Sequence, residues 1–399
     1  MALMSVDDAL ERALRGLTPL GVERVRIDQA AGRVLGEDLI ATLTQPPFDS
    51  SAMDGYAVRA ADVGALPATL ALVGKSVAGA RYNGIVAPGQ AVRIFTGAPV
   101  PDGADTIVIQ EDTEALGESV VVKHAVSGQF IRPRGQDFMK GDVLLTAGVR
   151  LGARAVTLAA AMNHAEVPVQ EKPRVAILST GDEIVPPGST LGPDHIVASA
   201  SYGVGALVEA FGGIPVQLGI AADNAESLAQ AIAKSADADI LVTIGGASVG
   251  ERDLVTGALT RAGLELDFAR IAMRPGKPTF SGRLGSTLVL GLPGNPVSAL
   301  VCAMVFLGPM VRALLGDNSE QAPQEGILGV SLAKNGPRQH YQRAISTFAE
   351  DGTRIVRPLP SQDSSLMAAL ARADCLVVQA PHAPGLPKGT RVAILPLPS

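Results

Sequence analysis

The chain has 399 residues, 47% hydrophobic and 18% charged, with a formal net charge of −6. This is the balance of a globular protein of roughly two to four domains, each large enough to bury its own core. With no Trp and 3% aromatics, it offers neither the basic face nor the stacking platform that nucleic-acid binding uses, so no nucleic-acid partner is expected.

The first element is an amphipathic helix opening at Ser5, with Ser5 as N-cap and Asp8 at the capping-box position. It lacks the basic start and apolar stretch of a signal peptide. Val22–Ile27 reads as a short strand-like segment. Residues 46–140 are turn-rich and all-β in character: Pro46-Pro47, Pro88-Gly89, Asp102-Gly103 and Ser127-Gly128 separate short Val/Ile runs. Residues 141–172 return to a helical pattern, clearest over Arg154–Ala161, expected to pack beside the first helix. These patterns predict a helical unit from 1–45 together with 141–172, and a β-rich unit over 46–140.

Residues 173–316 alternate strand and helix. Strands are expected at Arg174–Ser179, Ile214–Ile220, Asp239–Ile244, Leu266–Met273 and Thr287–Leu290, with helices at Ser201–Phe211, Ala225–Ser235 and Leu254–Ala262. Gly212 and Gly263 stand where a left-handed C-cap is needed. Such alternation implies right-handed crossovers and a mostly parallel sheet. The uncharged run Pro296–Val311 is shorter than the ~20 residues of a membrane span and is interrupted by Gly308-Pro309. It reads as a buried helix, and no membrane partner is expected. Residues 325–399 revert to short β-like runs, suggesting a small barrel. The fold class expected is multidomain α/β plus β: a central doubly wound, mostly parallel α/β domain, a helical and β-rich N-terminal part, and a small C-terminal β-barrel-like domain.

Cys302 and Cys375 lie far apart in apolar surroundings, the pattern of reduced core thiols in a cytoplasmic protein. The five His residues pair with no Cys at metal-ligand spacing, which argues against zinc. No Ser-His-Asp or Cys-His set is apparent, so positioning and charge neutralisation must carry any reaction.

Four motifs mark the α/β region: Thr180-Gly-Asp-Glu183, Gly245-Gly-Ala-Ser-Val-Gly250, Pro275-Gly-Lys-Pro278 and Gly291-Leu-Pro-Gly-Asn-Pro296. Three follow an apolar run directly, which puts them at the carboxyl ends of parallel strands, where open α/β sheets bind ligands. Asp182, Glu183, Asp223 and Asp253 follow three different strand ends and suit a hard divalent cation such as Mg²⁺. For Asp223 and Asp253 singly, the alternative is a helix N-cap. Gly245, Gly246 and Ser248 suit an anion cradle, or equally a tight turn. Lys277 is a positive charge on a proline-braced loop beside Arg274. Asn295 and Ser298 either cap the uncharged helix or turn its N-terminus towards an anion.

A second polar cluster lies in the β-rich part. It comprises Phe48-Asp-Ser-Ser-Ala-Met-Asp-Gly-Tyr-Ala57 with Asp54, Phe95-Thr-Gly-Ala-Pro-Val-Pro101 with Thr96, and Ile131-Arg-Pro-Arg-Gly-Gln-Asp137. Asp54-Gly55 is also compatible with a plain hairpin turn, and Arg132 and Arg134 with a solvated edge.

In this order, from about residue 5 to the C-terminus, the motifs resemble the molybdenum insertases, the family of bacterial MoeA and the E domain of gephyrin. That resemblance implies an elongated four-domain subunit, a homodimer, and a cleft between the α/β domain of one copy and the β domain of the other. It also gives the unit of 1–45 with 141–172 its role as linker and dimerisation domain. It implies molybdate and adenylylated molybdopterin as substrates, molybdenum cofactor and AMP as products, and Mg²⁺ as cofactor. A molybdopterin-adenylylating enzyme and molybdoenzyme apoproteins would be partners.

Carried over by motif, Asp54, Thr96 and Asp137 would enter from the partner copy, while Glu183, Asp223, Asp253 and Lys277 would act on the α/β side. Asp182 would join Glu183, Asp223 and Asp253 around the metal. Ser179, Thr180, Gly181, Gly245, Gly246, Ser248, Arg274, Pro278, Asn295 and Ser298 would bind substrate, with Arg338 and Ser364 looking onto the oxyanion. Two departures stand out: Ile196-Val-Ala-Ser-Ala200 replaces a stretch usually rich in Asp/Asn, Ser/Thr and Asn, and Arg274 stands where lysine is common. Two other readings follow from the same residues, a non-catalytic pterin-binding scaffold or carrier and a molybdopterin adenylyltransferase.

Overall fold

The computed structural model describes residues 3–246, 254–319 and 324–398. Ser248 and Asp253 lie outside the described residues. The central sheet has six strands in the order Ile214–Ala221, Arg174–Thr180, Ile240–Ile244, Thr287–Leu292, Phe280–Leu284 and Glu265–Ala269. The first four run parallel, and the last two join through antiparallel pairings. All five residues of Ile240–Ile244 are buried, as an apolar strand covered on both faces must be. One face packs against Ala200–Phe211, the helix beginning at Pro296 and the N-terminal helix Val6–Leu14. The other packs against Ala225–Ala233 and Leu254–Arg261.

The expected strand Leu266–Met273 is instead two elements, Glu265–Ala269 and Met273–Arg274. Arg270 between them has φ +62°, a left-handed conformation that ends the pleat. Met273–Arg274 leaves the central sheet and pairs with Gln339–Phe348, setting Arg274 opposite His340. Phe280–Leu284, between Pro278 and Gly285, is a further strand that was not among those expected from the sequence.

The helical run Pro296–Leu314 is 19 residues long and apolar enough to cross a membrane, but 78% of its most apolar window is buried inside the protein. It is a core helix. Its middle, Ala303–Leu307, is π-helical. That wider turn precedes Pro309, which has no N–H to donate, so the helix continues past a residue that ordinarily breaks it.

Towards the N-terminus, Val22–Arg26 pairs antiparallel with Glu166–Gln170 and Leu39–Ile40 with Val143–Leu145. They share a core of Leu35, Leu151, Met162 and Val167. Between them the chain forms a six-stranded sheet in the order Thr106–Ile109, Gly55–Val58, Gln90–Ile94, Ala68–Ser76, Ser119–Val122 and Thr113–Leu116. Gln339–Phe348, Arg354–Pro358, Gln324–Leu328, Arg391–Pro396 and Cys375–Gln379 follow one another, and the first pairs with the last, closing a barrel.

Arg150 is one of the side chains that tie the N-terminal part to the α/β body. Arg150 donates to the carbonyls of Gly32 (3.0 Å) and Phe211 (3.0 Å) and to the Asp317 carboxylate (2.8 and 3.1 Å). The Asp317 side chain is only 2% exposed. Burial raises its pKa, but bonds from Ser319 and Arg150 outweigh this, and the net direction is down.

Candidate functional site

A cleft of about 810 Å³ opens at the carboxyl ends of the parallel strands. Ser179, Thr180, Gly181, Glu183, Asp223, Gly245, Gly246, Lys277, Pro278 and Asn295 all line it. The strand Arg174–Thr180 delivers Thr180 almost fully buried (4% exposed), with a hydroxyl that finds no hydrogen-bond partner among the described residues. A buried hydroxyl left unpaired is costly, and a ligand oxygen would satisfy it. Gly245 allows this approach. It has φ +96°, and any Cβ there would sit 2.6 Å from the Thr180 carbonyl oxygen.

The acidic groups form a chain rather than a closed cage. The Asp182 carboxylate accepts the Asp223 backbone N–H at 2.9 Å. Burial first, then the charges of Asp182 and Glu183, raise the pKa of Asp223. The helix after Asp223 is capped by Asn224, whose side chain accepts from the Ser227 N–H at 2.9 Å. Asp223 is therefore not the N-cap, and its carboxylate stays available. Among the described residues, no three His, Cys, Asp or Glu side chains converge to hold a metal by themselves. The expected metal set therefore does not assemble from Asp182, Glu183 and Asp223, the three of its four members that are described.

Lys277 sits on a loop fixed from below. The Ile271 N–H donates to the Lys277 carbonyl at 3.0 Å. The Thr279 hydroxyl contacts the Gly276 carbonyl at 2.8 Å and Cys302 Sγ at 3.2 Å. Gly276 has φ +116°, and a side chain there would collide with Cys302 Sγ. Burial pushes the Cys302 thiol up to about 12, so it packs as a neutral group. Lys277 forms no ion pair among the described residues, leaving its ammonium for a ligand.

The C-terminal barrel supplies the far wall. Asn295, the N-cap residue of the core helix, makes no capping bond; its Nδ2 donates to Ser364 Oγ at 3.0 Å. Ser365 and Met367 line the cleft beside it. Ser298 is buried in the first turn of that helix. Arg274 and Arg338 are not among the lining residues but flank His340. Burial first, then the charges of Arg274, Arg338 and Arg343, lower His340 to about 4, so this end of the barrel carries excess positive charge. The turn bearing Arg338 is held by Asn335, whose Nδ2 donates to the Arg338 carbonyl at 2.9 Å.

Asp54, Thr96 and Asp137 lie elsewhere. A second cleft of about 580 Å³ is lined by Gln45, Pro46, Pro47, Phe48, Ser50, Gly97, Arg132, Gln136 and Asp137, none of which lines the first. Next to Gly97, the Thr96 backbone N–H and hydroxyl donate to Asp54 Oδ1 at 2.7 and 2.8 Å. These two bonds, backbone first, lower the Asp54 pKa, with help from Arg93.

Ile184, Ser365 and Met367 line the main cleft without having been singled out in the sequence, whereas all five residues of the departing stretch Ile196-Val-Ala-Ser-Ala200 do line it. Asp363-Ser364-Ser365 did carry a readable signal, because Asp two residues before Ser favours an Asx turn. The Asp363 carboxylate indeed accepts the Ser365 N–H at 2.9 Å.

Three family models match the chain in succession. They are the MoeA N-terminal region (domain I and II) over residues 4–163, a probable molybdopterin binding domain over 176–313, and the MoeA C-terminal region (domain IV) over 325–397. The molybdopterin molybdenumtransferase of Haemophilus influenzae is 34% identical over 400 residues, covering 99% of this chain and 98% of its own length. That of Bacillus subtilis is 32% identical, with 97% and 90% covered. The solved molybdopterin biosynthesis moeA protein of Pyrococcus horikoshii superposes with a TM-score of 0.85 at 26% identity, covering 98% of this chain and 99% of that one.

Proposed function

Because this chain belongs to the molybdopterin molybdenumtransferase family, transferases of molybdenum cofactor biosynthesis, we propose that it inserts molybdate into adenylylated molybdopterin and releases AMP. The observation that carries the reading is the main cleft, which combines a buried Thr180 hydroxyl and a Lys277 ammonium, both without a partner among the described residues, with a glycine-lined strand end and a chain of carboxylates. Lys277 would hold an oxyanion against the substrate, with Arg274, Arg338 and Ser364 contributing from the barrel side. Thr180, Gly245 and Gly246 would receive phosphate oxygens. One or two of Asp182, Glu183 and Asp223, with Asp253, would hold Mg²⁺ beside substrate phosphate and water, and its chemistry would be to neutralise charge on the departing phosphate.

The same reading makes the working unit a homodimer in the cytoplasm. Two copies would bring the Asp54, Thr96 and Asp137 side of one against the main cleft of the other. The segments 1–45 and 141–172 would form the linker and dimer contact, 46–140 the inserted β domain, 173–316 the substrate domain and 325–399 the barrel. A molybdopterin-adenylylating enzyme would supply the substrate and molybdoenzyme apoproteins would receive the product. A carrier reading draws on one feature, the apolar Ala198 and Ala200 in the cleft wall.

The test is AMP release from adenylylated molybdopterin with Mg²⁺, with and without molybdate, coupled to reconstitution of a cofactor-free molybdoenzyme. Molybdate-dependent release with reconstitution is expected. Tight binding without release would replace the insertase by a carrier, and turnover of ATP by an adenylyltransferase.

A further inference from the structure

Resting on the insertase reading and deepening it, we infer that Arg343 is a positioning residue that sets the barrel-side edge of the main cleft from beneath its wall. Arg343 lies in the strand Gln339–Phe348 and is only 2% exposed. Its guanidinium forms no ion pair among the described residues, and its donors converge on one loop. Nη1 donates to the Asp363 carbonyl at 2.7 Å, Nη2 to the Ser361 carbonyl at 3.4 Å, and Nε to Gln362 Oε1 at 3.3 Å. The backbone grips the same loop: the Arg343 N–H donates to Gln362 Oε1 at 2.9 Å, and Gln362 Nε2 returns a bond to the Arg343 carbonyl at 3.0 Å.

What the latch holds is the stretch that brings Ser365 and Met367 to the cleft wall. The Asp363 carboxylate fixes Ser365 through its N–H (2.9 Å) and hydroxyl (2.8 Å). Ser364 Oγ meets Asn295 Nδ2 at 3.0 Å, and Ser365 and Met367 face the cleft. A barrel that needed only stability at this position would be served by an apolar side chain, since burying a guanidinium is costly unless its donors are used. Each of the three guanidinium nitrogens makes a bond, and all three bonds go to the loop that reaches the site. A planar fork can bond three acceptors spread along a turn, whereas an ammonium cannot reproduce that geometry.

The experiment uses the full chain with Arg343→Lys, Arg343→Ala and Gln362→Ala. Two quantities are read: KM for molybdate against kcat in AMP release, and the rate of disulfide formation between Asn295→Cys and Ser364→Cys placed in each background. A displaced loop raises KM about tenfold with kcat little changed, the loss of a charge-assisted hydrogen bond or two, and slows cross-linking by a similar factor. Folded Arg343→Lys with unchanged KM and unchanged cross-linking overturns the inference. If Arg343→Ala does not fold, Gln362→Ala breaks the latch from the loop side and decides the matter. If the unsubstituted chain releases no AMP, the insertase reading fails by itself, and cross-linking still reports whether Arg343 places the loop.

Discussion

The main cleft takes its polar groups from the strand ends of one sheet and from a single loop of the barrel. The second cleft takes its groups from turns around the β-rich part and shares no lining residue with the first. Their carboxylates are tuned in opposite directions. Thr96 lowers the pKa of Asp54 by two hydrogen bonds, whereas burial and the neighbouring Asp182 and Glu183 raise that of Asp223. A carboxylate stabilised by its own donors is complete without a ligand. One crowded by other carboxylates is waiting for positive charge. The first arrangement suits a group that meets substrate as a preformed anion, the second a group that works through a cation.

The sharpest way to break the comparison is to disable each cleft separately. Lys277→Ala and Asp54→Ala should each lower molybdate-dependent AMP release by about 10²–10³-fold, the usual scale for removing a preorganised charged partner. If the clefts meet across two copies, mixing the two inactive variants under subunit exchange should restore about a quarter of full activity, because half the dimers are mixed and each has one intact pair. No recovery on mixing would mean that the clefts act within one chain or not together.

A smaller effect separates the two carboxylates by pH. The raised pKa of Asp223 means its protonated form favours folding at low pH, and that advantage is lost as pH rises through the shifted value. Asp223→Asn should therefore raise Tm at pH 7, with the gain vanishing near pH 3 and shrinking in saturating Mg²⁺, as followed by calorimetry. Asp54 carries the opposite sign, its stabilisation being present above the ordinary carboxylate range and lost as pH falls through the lowered value. Thr96→Val should move the Asp54 titration upward in carboxyl-resolved NMR and leave Tm at pH 7 nearly unchanged, the smallest of the three effects.

Much of the main cleft was legible because parallel strands put their ends at one edge regardless of sequence distance. Thr180, Gly245 and Asn295 are far apart in the chain yet meet there, and each follows an apolar run that gives the strand away. Ser365 and Met367 were not legible, since nothing local says that a barrel loop will lean on the sheet. Asp223 illustrates a different limit: Asp and Asn are adjacent before the helix, and the pattern alone does not say which one caps it. The expected strand Leu266–Met273 failed at Arg270, whose positive φ has no sequence mark of the kind glycine gives.

Arg150 has a mechanical consequence. The chain that builds the six-stranded sheet runs between the two segments that pair through Val22–Arg26 and Glu166–Gln170, and Arg150 joins those segments to the body together with the Asn318 N–H on the Gly148 carbonyl (3.0 Å) and the Leu20 N–H on the Leu314 carbonyl (2.9 Å). Such a joint would serve as a fulcrum, with the inserted sheet as its lever arm. A small rotation at this joint would become a larger sweep at Asp54, so the bonds of Arg150 to Phe211 and Asp317 bear on the aim of the distant carboxylate.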